Sequence, residues 1–256
     1  MNKIFISVNY GTSNIIKQWI TSIENFNNNQ QIIIVDNFHS DIERLKVKQL
    51  SSELKFTLIE STNVGYGRAL NVAFEYIKKK YSKLNDCVIF AGNLDIQFMC
   101  TEAKYLDGNI VYVPIALEGK RNRNPFLTHL QKKLLKLHLI SIQSESLPLF
   151  IIVIFLIKLA GYVPSKIWAL HGSLFVFNAS ILNHGVIFNE KSFLYSEELE
   201  FASFIENLSN SKIRNSKIEY KHFAHVATCA LVSTRKIFYK LWKPSFTNWL
   251  NRWEKR

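Results

Sequence analysis

Short apolar runs alternate with segments of helical periodicity along the N-terminal part of this chain. Runs rich in Ile, Val and Phe predict buried strands at residues 4–8, 32–35, 56–59 and 88–91. Between them, apolar residues recur at three- and four-residue spacing, which predicts helices over residues 12–26, 42–54 and 69–81. The alternation predicts an α/β fold with a mostly parallel, Rossmann-like central sheet and helices on both faces.

Side chains with an amide or a carboxylate follow the predicted strands. These residues are Asn9, Asp36, Asn63 and Asp95. Because parallel strands end at a common sheet edge, where such folds bind ligands, we expect the four groups to converge on one site. An Asp or Asn after a strand is also a common turn former or helix N-cap, so each residue alone has a purely structural alternative.

A glycine-containing segment precedes the third predicted helix. Gly65 and Gly67 flank Tyr66, and Arg68 follows directly. Glycines before a helix let backbone N–H groups approach a phosphate closely, and an adjacent arginine adds a cation. The segment lacks the last glycine of a dinucleotide-binding fingerprint, because Asn71 closes the run, so we do not expect a dinucleotide cofactor.

The positive charge of the chain is confined to two segments. The 256 residues contain 32 Lys and Arg residues against 20 acids, a formal net charge of +12. Residues 120–136 contain six Lys or Arg residues and no acid, and residues 235–256 contain seven against one acid, so the remainder is formally neutral. With 48% hydrophobic residues, a chain of this length can bury one substantial core and form a small appendage.

Both basic segments lie beside apolar residues that suit a membrane surface. Leucines at helical spacing in residues 127–137 predict a basic amphipathic helix, and an uninterrupted apolar run of 11 residues follows at 147–157. That run is shorter than the roughly 20 residues of a spanning helix, so we expect an interfacial or buried segment. The C-terminal segment interleaves its cations with the aromatic residues Phe238, Tyr239, Trp242, Phe246, Trp249 and Trp253. This composition suits anionic headgroups, and aromatics packed inward beneath a solvated charged face are the alternative.

Single-stranded nucleic acid is the rival partner, because interleaved cations and aromatics also bind bases. The acids expected at the sheet edge and the neutral remainder disfavour it. The three cysteines, Cys87, Cys100 and Cys229, form neither a zinc-binding spacing nor an even disulfide set, which favours a reducing compartment. The N-terminal apolar run is too short for a signal peptide, so we expect a cytoplasmic protein, peripheral at the inner face of the cell membrane.

Six segments, taken in order, resemble the family-2 inverting glycosyltransferases, whose GT-A fold binds nucleotide sugars. The segments are Val8-Asn-Tyr10, Ile34-Val-Asp36-Asn37, the set Asn63, Gly65 and Asn71, then Asn93-Leu-Asp95, the stretch 168–177 around Gly172, and Glu197-Glu-Leu-Glu200. The resemblance is strongest to the bacterial, rhamnosyltransferase-like branch that builds surface polysaccharides. Leu94 stands where that family commonly has proline, and Glu198 and Glu200 stand where it has aspartates.

The resemblance and the glycine segment together imply a role for each matched residue. The implied donor contacts are Asn9, Asp36, Asn63, Gly65, Arg68, Asn71, Asn93 and Gly172. Asp95 would hold a divalent cation, Mg²⁺ or Mn²⁺, together with a histidine, for which His225 is preferred over His222. Glu198 is the implied catalytic base, and Trp168, Glu197 and Glu200 are the implied acceptor-side residues. Without the upstream motifs, the three glutamates would be interpreted as the solvated first turn of a helix.

The expected function is transfer of a hexosyl or deoxyhexosyl group, with inversion, from a nucleoside-diphosphate donor to a lipid-linked or growing glycan. UDP and dTDP donors are favoured, and GDP donors remain open. We expect residues 1–230 to form the GT-A domain, with an amphipathic and apolar insertion at 119–163, and residues 231–256 to form a basic aromatic tail. The alternatives are a noncatalytic nucleotide-binding protein docked at a membrane and, less favoured, a nucleic-acid-binding protein.

Overall fold

Four parallel strands form the first part of the central sheet. They are β1 (Asn2–Asn9), β2 (Gln30–Asn37), β3 (Thr57–Ser61) and β4 (Cys87–Gly92), in the order β3-β2-β1-β4. The structure is a computed structural model that describes residues 1–25, 30–102, 108–144, 146–223 and 235–253. Each of the four strands begins and ends within two residues of the bounds predicted from its apolar run.

Helices cover both faces of this parallel part. They are α1 (Ile16–Glu24), α2 (Asp41–Leu54) and α3 (Tyr66–Lys80). Trp19 of α1 and Val47 of α2 pack with Phe5 on one face, and Leu70 of α3 packs with Ile6 on the other. Because adjacent residues of β1 point to opposite faces and both faces are covered, the strand is apolar at successive positions.

The rest of the sheet is mixed. Its further strands are β5 (Ile96–Cys100), β6 (Ile110–Glu118), β7 (Arg121–Asn122), β10 (Leu174–Asn178) and β11 (Lys212–His222), whereas β8 (Leu127–Thr128) and β9 (Ile167–Ala169) form a separate two-stranded sheet. From β4 the order continues β10-β6-β11-β5, in which the β6–β11 pair is parallel and the other pairs are antiparallel. The expected α/β fold with helices on both faces is confirmed, and its parallel character lies mainly in the first four strands.

The segment between β7 and β10 forms a small helical layer. It contains α4 (His129–Lys132), α5 (Leu135–Gln143) and α6 (Leu147–Tyr162), and β8 pairs with β9 at its base. The single amphipathic helix predicted at 127–137 is instead divided among β8, α4 and α5, because Thr128 forms a capping box with Gln131 and begins a new helix there. The predicted apolar run lies in α6. Within the ranges given above, no helix is both long and apolar enough to cross a membrane.

The C-terminal helix packs against the protein rather than extending from it. After α7 (Glu197–Glu206), helix α8 (Arg235–Trp253) buries Phe246 and Trp249 in a cluster with Trp168 and Leu199. We expected these aromatic side chains at a membrane surface. For Phe246 and Trp249 that expectation was wrong, because both pack inward. The side chains of Phe238, Tyr239 and Trp253 lie outside the described part of the chain.

Candidate functional site

A cleft of about 390 Å³ opens where β1, β2, β4, β6 and β11 end. Seven residues predicted from the sequence line it: Asn63, Gly65, Asn93, Asp95, Gly172, Glu197 and Glu198. Six predicted residues do not line it: Asn9, Asp36, Arg68, Asn71, Trp168 and Glu200. His225 lies outside the described residues, whereas His222 lines the cleft. Of the four side chains expected to converge at the strand ends, Asn63 and Asp95 therefore line the cleft, and Asn9 and Asp36 do not.

Asn9 and Asp36 are buried in a network at the ends of their strands. Asn9 Nδ2 donates to Asp36 Oδ1 at 3.0 Å, and Arg44 Nε donates to Asp36 Oδ2 at 2.7 Å. Each carboxylate oxygen accepts one of these hydrogen bonds, and Asp36 does not line the cleft. The neighbouring Asn37 lines the cleft instead, where its Nδ2 donates to Asn63 Oδ1 at 3.2 Å. Asn37 was not among the predicted site residues.

The glycines before α3 accommodate a loop, defined here as residues 188–195. Gly65 has a φ of 90°, and a Cβ at this position would overlap the carbonyl oxygen of Phe193. A Cβ at Gly67 would lie 2.9 Å from Phe188 Cβ. Asn71 binds the same loop, because its Nδ2 donates to Phe188 O at 2.7 Å and its Oδ1 accepts from Phe188 N at 3.2 Å. Gly67 and Asn71 thus have structural contacts with this loop, whereas Gly65 contacts the loop and also lines the cleft.

Asp95 faces a group of metal-ligating side chains. Its Oδ1 is buried without a hydrogen-bond partner among the described residues and lies 3.4 Å from His222 Nε2. His222 Nδ1 lies 3.0 Å from Glu118 Oε1. One ligand atom from each of Glu118, His171 and His222 can be chosen so that all three lie within 4.8 Å of one another. Two imidazoles and the Glu118 carboxylate can therefore share one cation, and the Asp95 carboxylate lies beside them, next to His222.

The two histidines have opposite pKa shifts. Burial, reinforced by the nearby His222, lowers the pKa of His171 to about 4. Burial alone would also lower the pKa of His222, but Asp95 and Glu118 outweigh that effect and raise it. His171 is therefore a neutral imidazole at pH 7. Its Nδ1 lies 2.7 Å from Ser173 Oγ, a hydrogen bond that leaves Nε2 of the ring for another ligand.

Arg123 lines the cleft and brings a guanidinium group to it. Its Nε donates to Glu118 Oε2 at 2.7 Å, which places the cation beside the possible metal ligands. Arg68, the expected cation, does not line the cleft. Glu118 and Arg123 were not predicted as site residues. Glu118 ends β6 and Arg123 follows β7, and no local sequence pattern indicates that this hairpin lies beside His222. His171 directly precedes the predicted Gly172, and that adjacency is a signal that could have found it.

Glu197 and Glu198 are the first two residues of α7, and both line the cleft. Tyr195 and Ser196, which precede them, have φ values of 66° and 78°. Left-handed backbone at two successive residues other than glycine costs about 1–3 kcal/mol each and is typical of functional sites. The Glu198 carboxylate accepts from the N–H of Gly172, where a Cβ would overlap Glu198 Oε1. A side chain at position 172 would therefore force the Glu198 carboxylate to move.

Burial raises the pKa of both carboxyl groups at the start of α7. Burial, followed by the charge of Glu198, raises the pKa of Glu197 to about 8. Burial also raises the pKa of Glu198, and backbone N–H groups partly oppose the rise. With a pKa of about 8, Glu197 keeps its proton at neutral pH. These glutamates are not the solvated helical turn that was the structural alternative.

Two predicted acceptor-side residues have structural contacts away from the cleft. Glu200 accepts from Ser192 Oγ and, at 2.7 Å, from Asn189 N, so it ties the 188–195 loop to α7. Trp168 is buried, and its Nε1 donates to Glu206 Oε2 at 3.2 Å. The structure therefore leaves Glu197 as the member of the predicted acceptor set that lines the cleft.

This topology, with its cleft at the carboxyl ends of the parallel strands, defines a GT-A-type fold, and comparisons of structure agree. The chain is similar to a mannosyltransferase from Pyrobaculum calidifontis in complex with GDP-Man and Mn²⁺, with 12% identity, a TM-score of 0.53 and coverage of 88% of this chain and 57% of that one. It is also similar to TarS from S. aureus, with 14% identity, a TM-score of 0.52 and coverage of 94% and 38%.

TarS 1-349 in complex with UDP gives a similar result, with 12% identity, a TM-score of 0.52 and coverage of 94% of this chain and 63% of that chain. The chain thus spans less than two thirds of each of these structures. In comparisons of sequence, no family model and no curated protein matches. At these identities the likeness shows a shared fold.

Proposed function

We propose that this protein is an inverting glycosyltransferase that takes a sugar from a nucleoside-diphosphate donor. The observation that carries the proposal is the presence of two chemistries in one cleft of a GT-A-type fold. Asp95 and Glu118 both contact His222 and form one group with it, and the half-buried Glu198 is a further carboxylate that lines the same cleft. Donor activation and acceptor deprotonation need groups of these two kinds.

The residues around Asp95 fit a divalent cation. The donor set combines carboxylates with the imidazoles of His171 and His222, which suits Mn²⁺ better than Mg²⁺, since Mg²⁺ favours oxygen ligands and retains water. A cation bound there would supply positive charge to the leaving diphosphate as the C1–oxygen bond breaks. The similarity to a mannosyltransferase structure that contains Mn²⁺ supports this assignment.

The chain's own residues would then bind and orient the donor. Arg123 offers a guanidinium to diphosphate oxygens, and Glu118 holds that group in place. Asn37 and Asn63, linked at 3.2 Å, offer amide groups to a base at the end of β2. We favour UDP or dTDP as the nucleotide, with GDP as the alternative, and hexosyl or deoxyhexosyl transfer.

Glu198 would take the proton of the acceptor hydroxyl. Beside it, Glu197 has a pKa of about 8 and keeps its proton at neutral pH, so it would offer a neutral hydrogen-bond donor next to the base. With one base and no second nucleophile assigned in the cleft, the proposed reaction is a single displacement with inversion at C1. The proposed acceptor is a lipid-linked or growing glycan in surface polysaccharide synthesis, reached at the cytoplasmic face of the membrane.

A donor panel tests this proposal. Thermal shift and slow donor hydrolysis would be measured with UDP, dTDP and GDP sugars, with and without Mn²⁺, for the wild type, Asp95→Asn and Glu198→Gln. We expect stabilisation by one nucleotide class that requires Mn²⁺ and is lost in Asp95→Asn. We expect Glu198→Gln to bind the donor normally but to hydrolyse it at least about tenfold more slowly.

Matched controls are Asp41→Asn and Glu190→Gln, which change exposed acids away from the cleft and should behave as the wild type. Stabilisation without hydrolysis by the wild type would favour the noncatalytic nucleotide-binding alternative. No response of the folded protein to any donor would overturn the proposal.

A further inference from the structure

Helices α5 and α6 expose a broad apolar surface. Its residues, which we name the α5–α6 face, are Leu137, Ile140, Leu149, Ile151, Ile152, Phe155, Leu156, Leu159, Tyr162 and Val163. Phe155 is 58% exposed and Tyr162 is 83% exposed. The opposite side of α6 buries Val153 and Ala160, and the side chain of Gln131 in α4 donates to the carbonyl of Ile157. The helix is therefore packed on the protein while its other side faces outward.

Positive charge accompanies this face. Residues 129–166 contain five lysines and a single acid, Glu145. Lys133, Lys158 and Lys166 are exposed on or beside the same helices. A wide apolar stripe bordered by lysines matches the boundary between acyl chains and anionic headgroups. Nucleic acid would match the lysines but would leave the apolar side chains in water.

We propose that the α5–α6 face docks this protein on an anionic lipid bilayer. Helix α6 has 16 residues, and at about 1.5 Å per residue it is shorter than the roughly 30 Å hydrocarbon core, so it lies in the plane of the interface. Exposed apolar groups enter the acyl boundary while the lysines contact phosphates of the lipid headgroups. This surface replaces the aromatic residues Phe246 and Trp249, which are buried, as the membrane-binding element.

The helical layer that carries the docking face is anchored beside the cleft. Both ends of the helical layer return to the β8–β9 pair, where Phe126 N donates to Ala169 O at 3.0 Å. Phe126 is 40% exposed, and its ring lies 6.1 Å from the ring of His171 in the cleft. Docking would hold the cleft near the bilayer, where a lipid-linked acceptor is presented; this role of docking rests on the proposed function.

Vesicle flotation tests the docking face. The full chain would be mixed with vesicles of phosphatidylcholine alone or with added phosphatidylglycerol. We expect flotation with the anionic vesicles that weakens with added salt. Two variants should each reduce partitioning into anionic vesicles at least about tenfold. The apolar variant combines Ile152→Ser with Phe155→Ser, and the lysine variant combines Lys133→Gln, Lys158→Gln and Lys166→Gln.

Each variant has a matched control in exposed residues elsewhere. Ile42→Ser with Leu45→Ser changes two apolar residues of α2, and Lys46→Gln with Lys79→Gln and Lys83→Gln removes the same charge as the lysine variant. The controls should float as the wild type does. Equal losses in the controls, or no flotation of the folded wild type, would overturn the proposal.

Two further measurements separate the possible outcomes. If sedimentation showed a dimer that the Ile152→Ser, Phe155→Ser variant dissociates, with no vesicle binding, the face would be an interface between copies and the proposal would fail. Donor-induced stabilisation, measured without vesicles, should be unchanged in all these variants. Docking without any response to donors would refute the proposed function alone, and a donor response without docking would refute the docking face alone.

Discussion

Replacing Glu197 with glutamine should stabilise the protein in a way that depends on pH. The folded pKa of Glu197 is about 8, raised from 4.5 mainly by burial and then by the charge of Glu198. Below about pH 4.5 this carboxyl is protonated in the folded and unfolded states alike. Between pH 4.5 and 8 the unfolded chain loses the proton while the folded protein keeps it, so the free energy of unfolding falls as pH rises.

The size of this effect follows from the pKa difference. Each pH unit within the window removes about 1.4 kcal/mol from the free energy of unfolding, which reaches roughly 4–5 kcal/mol at pH 8. Glutamine has nearly the same shape and does not ionise, so Glu197→Gln should recover most of that loss. At about 2–4 °C per kcal/mol for a chain of this size, the variant should melt about 10 °C above the wild type at pH 8.

Denaturant unfolding at pH 5, 6, 7 and 8 measures the prediction directly. The difference between Glu197→Gln and the wild type should be small at pH 5 and grow with pH. Glu190→Gln, an exposed control nearby in the chain, should show no such growth. A stability difference that is the same at all four pH values, or that shrinks toward pH 8, would refute the assignment of a protonated Glu197.

Three other substitutions test the packing around the cleft. Gly172→Ala should lower donor hydrolysis at least about tenfold while donor-induced stabilisation persists, because the added Cβ would displace Glu198; a rate equal to the wild type would contradict this. Asn71→Ala removes two hydrogen bonds to Phe188 and should cost about 2 kcal/mol in denaturant unfolding, and a neutral result would argue against the loop contact. Trp249→Ala should cost about 3–5 kcal/mol by the same measurement, and a cost below 1 kcal/mol would show that α8 does not pack as described.

Local patterns in the sequence determined the first half of the fold. The bounds of β1 to β4 lie within two residues of their apolar runs, because strands covered on both faces, as β1, β2 and β4 are, carry apolar residues at successive positions. The helices between them agree with the three- and four-residue apolar spacing, since each contacts the sheet along one side. Asp95 and Glu198 could be selected from short ordered motifs, and both line the cleft.

Only the tertiary structure decided which residues share the site. Glu118 and His222 are brought together where the parallel strands β6 and β11 end, and His171 approaches them just before β10. No local pattern contains these contacts, because they depend on strand pairs far apart in the chain. The same holds for Gly65 and Asn71, which contact the 188–195 loop, and for Trp249, which is buried because Trp168 offers it an apolar partner. Sequence periodicity specifies which side of an element is buried, and only the folded chain specifies what covers it.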